Sequence, residues 1–112
     1  MSGPHETLPP ADGRPLSAED GRRVLSGAEL VYDDGAIQQF TPDGATTYLD
    51  AGNETTGTWS VDDDGTFSSF WPPSFRASYA LSWRVAGQDV GLTFVSHRDG
   101  SVFSGRFSTL PG

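Results

Sequence analysis

The chain has 112 residues, enough for one domain, and fifteen acidic groups against seven arginines set its formal charge at −8. There is no cysteine and no lysine, so disulfide staples, thiolate nucleophiles, Cys-type zinc sites, Schiff-base chemistry and a P-loop lysine are all excluded. A surface this acidic repels phosphate backbones and anionic membranes, which argues against a nucleic-acid or membrane partner.

Residues 1–16 hold four prolines among small and charged residues and read as a disordered N-terminal arm. A single domain then spans 17–109, opening with a helix over 17–26. Ser17 is its N-cap, Glu19 and Asp20 sit in its first turn, Val24 and Leu25 face inward, and Gly27 stops it. The helix reads as a plug or lid on a sheet.

From Ala28 the pattern becomes regular. Runs at Ala28–Asp33, Ala36–Thr41, Ala45–Asp50, Thr55–Val61, Thr66–Trp71, Ser78–Val85, Val90–Ser96 and Ser101–Ser108 alternate with turns rich in Asp, Gly and Pro. The fold class is therefore all-β: an eight-stranded antiparallel meander or small barrel with a short N-terminal helix. The sixth run shows its faces most clearly, because Tyr79, Leu81, Trp83 and Val85 alternate with Ser78, Ala80, Ser82 and Arg84. Ile37 and Phe40 point to opposite faces of the second run, and Phe70 opposes Phe67 and Trp71 on the fifth.

Asp62-Asp63-Asp64-Gly65 is hairpin chemistry, since the glycine can take the positive φ that the turn needs. It lacks the spaced oxygen ligands of a calcium loop, so no metal site is assigned. His97-Arg98-Asp99 ends in a glycine and reads as a turn. No serine has the surroundings of a nucleophile elbow, and no catalytic residue is assigned.

The aromatic residues carry the functional expectation. They either fill the barrel interior or line a pocket at its mouth that takes a small hydrophobic or aromatic molecule. The candidate ligand-binding residues are Trp59, Trp71, Tyr79 and Trp83 as walls, with Tyr48, and Gln39 and Arg106 as polar contacts; Gln38 is the neighbouring alternative to Gln39, and Ser69 a further polar candidate. No cofactor is implied. The same pocket could steer a cyclisation by shape and desolvation, as a small tailoring enzyme. Alternatively, Phe70, Trp71 and Phe75 around Pro72-Pro73 would form an exposed patch for a protein partner or self-association. No basic segment followed by an apolar core opens the chain, which makes a cytoplasmic location the default, although a secreted protein after processing would read the same.

Two resemblances follow. Gly57-Thr58-Trp59 with the later Gly105-Arg106-Phe107 resembles the signature of lipocalin and avidin-like barrels, which implies a barrel in which a late arginine packs over the indole. In lipocalins the Gly-x-Trp lies on the first strand and here it falls on the fourth, so the resemblance is architectural. The second is to a family of short bacterial β-domain proteins with no assigned activity, through Gln39, Phe40, Asp43, Gly44, Thr46, Tyr48, Gly57, Trp59, Ser69, Trp71, Pro72, Pro73 and Tyr79. That family often carries cysteines where this chain has Ser68 and Ser78, so the disulfide the resemblance would imply is absent.

Overall fold

A computed structural model describes residues 11–108. Eight strands follow one helix: α1 (Ala18–Leu25), β1 (Glu29–Tyr32), β2 (Ile37–Phe40), β3 (Ala45–Asp50), β4 (Asn53–Val61), β5 (Phe67–Trp71), β6 (Phe75–Ala86), β7 (Asp89–Ser96) and β8 (Val102–Phe107). Each strand pairs antiparallel with the next, and β1 pairs with β8 to close the barrel. Closure pairs the first and last strands, so neither stands as an edge of an open sheet. The expected all-β, eight-stranded architecture is the observed one.

The connections alternate between two ends. Turns 33–36, 51–52, 72–74 and 97–101 lie at one end, while turns 41–44, 62–66 and 87–88 lie at the other, together with α1. Helix α1 forms where the local signals place it. The Ser17 hydroxyl caps the Asp20 N–H at 3.1 Å, Ser26 is the C-cap, and Gly27 follows at φ +81°. Gly21, Val24 and Leu25 form its buried face. Gly21 faces Val61 and Leu81, where a Cβ would sit 3.4 and 3.5 Å from their side chains, at ordinary contact distance. Arg22 locks the contact from outside, donating to the Val61 carbonyl at 3.0 and 2.8 Å and pairing with Asp63 at 2.9 Å.

The first ten residues of the predicted arm lie outside the described residues, but its end is ordered by β6. The Gly13 N–H donates to the Trp83 carbonyl at 2.7 Å, the Trp83 N–H to the Arg14 carbonyl at 2.8 Å and the Leu16 N–H to the Leu81 carbonyl at 3.1 Å. Leu16 is buried in the core. The arm expected over 1–16 therefore gives way to attached chain by Asp12, whose carboxylate accepts from the Val85 N–H at 3.0 Å. The alternation of small and polar residues in this stretch hides an edge-like pairing that only the long β6 offers.

The core fills the helix-capped half. Leu25, Leu30 and Leu92 are wholly buried there, with Phe40, Trp59, Val61, Leu81, Trp83 and Phe107 around them. Phe40 meets Trp59 edge-on at 5.8 Å, and Trp59 lies parallel to Phe67 at 6.4 Å. On β2 the ambiguity resolves toward Gln38 and Phe40, which are buried, while Ile37 is half-buried on the other face. On β5 it is Phe70 that faces outward, under the Arg76 guanidinium at 4.6 Å.

A cavity at the open end of the barrel

At the end away from α1 the barrel holds a cavity of about 600 Å³. Its wall is built from inward positions of six strands: Tyr32 on β1, Gln38 on β2, Tyr48 on β3, Phe67, Ser69 and Trp71 on β5, Tyr79 on β6 and Phe94 on β7. Asp33, Asp34, Thr55, Phe75, Val102 and Phe103 form an exposed rim. All three tyrosines of the chain line this cavity.

Two glycines make room for its walls. A Cβ on Gly57 would lie 2.3 Å from the Phe70 carbonyl oxygen and 2.7 Å from the Trp71 ring, so the indole rests against bare β4 backbone. Across the barrel, a Cβ on Gly105 would lie 3.1 Å from the Tyr32 ring, whose residue pairs with Gly105 in the β1–β8 ladder. An inward glycine lets a neighbouring ring lie along the sheet instead of projecting to the barrel axis. The space at the axis stays open as a result.

The polar groups of the wall are mutually bonded. The Tyr32 hydroxyl donates to Gln38 Oε1 at 2.6 Å, Gln38 Nε2 to Thr46 Oγ1 at 2.9 Å, and Thr46 Oγ1 to the Gln39 carbonyl at 2.7 Å. Trp71 Nε1 donates to Ser69 Oγ at 3.2 Å. Burial pushes the Tyr32 phenol far above its ordinary range, with Tyr48, Tyr79 and Asp34 adding to the rise. The Tyr48 phenol is raised first by burial and then by Asp34 and Asp50, and Tyr79 first by burial and then by Asp99. The cavity at neutral pH is thus lined by protonated phenols beneath a carboxylate-bearing rim.

Of the residues expected from the sequence, Tyr48, Trp71 and Tyr79 line this cavity. Trp59 and Trp83 belong to the solid half, at 8% and 3% exposure. The Trp59 indole N–H donates to the Thr41 carbonyl at 3.0 Å, at the helix end. Gln39 faces outward and donates to Glu29 at 2.8 Å, so its neighbour Gln38 supplies the inward amide. Arg106 is exposed and flanks a small groove of about 140 Å³ with Asp33, Arg84 and Asp89. It does not cover the Trp59 indole, whose neighbours are Phe40 and Phe67. The period-2 pattern predicted inward faces correctly on β4 and β6, but depth along the barrel is invisible to it. Tyr32, Phe67 and Phe94 line the cavity although no local signal in the sequence marks them as doing so.

Phe70, Trp71 and Phe75 do not form one patch. Trp71 turns inward, Phe70 packs outside under Arg76, and Phe75 stands on the rim at 51% exposure. The Pro72–Pro73 bond between them is cis. The acidic hairpin 62–65 closes as a plain turn, with Gly65 at φ +89° and Asp64 accepting from the Thr66 N–H at 2.9 Å. No group of three or more His, Asp or Glu side chains placed to hold a metal occurs among the described residues, and none of their helices is long and apolar enough to cross a membrane.

A closed up-and-down barrel, plugged at one end and hollow at the other, is the class of protein that fold and cavity define. No protein-family model matches the sequence, and no curated protein or solved structure does either.

Proposed function

We propose that the barrel binds a small, largely apolar or aromatic molecule in the cavity at its open end. The observation that carries this reading is the hollow itself: about 600 Å³ lined by aromatic rings at the end of the barrel away from the buried core cluster. Ligand sites fall in the range of roughly 300–1,000 Å³ and combine apolar walls with a few placed polar groups. Here the walls are Phe67, Trp71, Tyr79 and Phe94, and the placed polar groups are Gln38, Ser69 and the phenols. Rings held by Gly57 and Gly105 are set before any ligand arrives, which lowers the ordering cost of binding.

The test is titration with N-phenyl-1-naphthylamine, a neutral dye whose emission rises in apolar surroundings. The expected result is saturable binding at one site, abolished by Thr55→Trp, which blocks the exposed rim without touching the core. Weak non-saturating emission, unchanged by Thr55→Trp in a folded protein, would remove the reading.

A further inference from the structure

Building on the proposed binding function, we propose that the natural occupant of the cavity is cationic: an organic ammonium carried on an apolar or aromatic body. Among the described residues, those lining the cavity include Asp33 and Asp34 and no arginine or histidine. Asp33 is already paired with Arg84 at 2.7 Å, which leaves Asp34, among the described residues, as the carboxylate at the mouth with no ion-pair partner. One Asp34 oxygen accepts from the Ala36 N–H at 3.0 Å, and this fixes the carboxylate at the rim. Two other arginines lie at that end: Arg98 over the Phe75 ring at 5.9 Å, on the rim, and Arg76 over the outward Phe70 ring at 4.6 Å.

Below the rim, the interior offers ring faces and hydroxyl oxygens, the Tyr48, Tyr79 and Ser69 hydroxyls being able to donate as well as accept. The Tyr32 proton is committed to Gln38, the Gln38 amide to Thr46 and the Trp71 N–H to Ser69. Tyr48 and Trp71 have centroids 6.3 Å apart with planes at 59°, and Tyr32 stands edge-on to Tyr48 at 6.1 Å. Several non-parallel electron-rich rings around one space attract a cation through their quadrupoles, most strongly when it is desolvated. Burial is the first cause of the raised Tyr48 and Tyr79 phenols, and Asp34 and Asp50 on Tyr48 and Asp99 on Tyr79 add to it with the sign of a negative potential. An anion entering the cavity would meet that potential with no lining cation to offset it. A neutral molecule would gain the apolar contacts but not the charge term.

The measurement compares three benzyl probes as competitors of the neutral dye: benzyltrimethylammonium, its equal-sized carbon isostere neopentylbenzene, and the slightly smaller anion phenylacetate. The cation is expected to bind about tenfold more tightly than the isostere, with phenylacetate weakest. In Asp34→Asn the ratio of cation to isostere affinity is expected to fall by about threefold, the loss of one partly screened charge. The asparagine oxygen can still accept from the Ala36 N–H, so the turn is kept. Equal or tighter binding of neopentylbenzene or phenylacetate would overturn the charge inference while leaving the binding reading intact. If the dye binds and none of the three displaces it, the charge inference also fails. Absence of dye binding would remove both.

Discussion

The two halves of this barrel are built from the same strands and the same kind of residue, yet one is solid and the other hollow. Phe40, Trp59, Trp83 and Phe107 in the closed half pack against each other and beneath α1. Tyr32, Tyr48, Trp71 and Tyr79 in the open half are held back against the wall, two of their rings over glycines. The tyrosines lie in the open half, and Trp59 and Trp83 in the closed half. A phenol hydroxyl needs a partner or water, which the open half supplies and a sealed core does not. Aromatic content alone therefore says little about a pocket; what matters is which rings have a glycine to lie on and which have a helix above them.

The largest effect that can break the contrast is truncation in each half. Trp59→Ala should cost about 3–5 kcal/mol in denaturant unfolding, because it empties a site sealed on every side. Trp71→Ala should cost about 1 kcal/mol and instead weaken dye binding, since the ring already borders open space. Similar stability losses from the two would mean that the halves are equally packed.

Gly57→Ala comes next. The added carbon meets the Phe70 carbonyl and the Trp71 ring, so a loss of about 1–3 kcal/mol is expected with an altered Trp71 emission. An unshifted emission would show that the indole does not depend on the glycine.

Alkaline pH sharpens the comparison further. The Tyr32 phenol lies above its ordinary value of 10.0 in the folded chain, so above about pH 10 the unfolded chain releases a proton that the folded one keeps. Stability from this group is complete below pH 10 and declines as pH rises beyond it, by at most about 1.4 kcal/mol per pH unit. Ultraviolet titration at the phenolate band should show delayed ionisation of Tyr32, and Tyr32→Phe should flatten the decline. The smallest expected effects are at the outward residues: Gln39→Ala and Arg106→Ala should each leave stability within about 0.5 kcal/mol and dye binding unaltered.

By itself the sequence determined the strands, their order and the short helix. Alternation on β6 and β7, glycine-centred turns, and the Ser17 and Gly27 helix signals are all local, and local chemistry is sufficient to place them. It also named Tyr48, Trp71 and Tyr79 among its candidate pocket residues, beside Trp59, Trp83, Gln39 and Arg106, which lie elsewhere. Tertiary structure alone decided depth along the barrel axis: which end α1 plugs, that Gln38 faces inward where Gln39 does not, that Trp59 and Trp83 are core, and that residues 12–16 run along β6. The physical reason is that a period of two reports the face of a strand but carries no information about height. Height follows from the register between strands, from strand tilt, and from the close approaches that Gly57 and Gly105 allow between residues far apart in the chain.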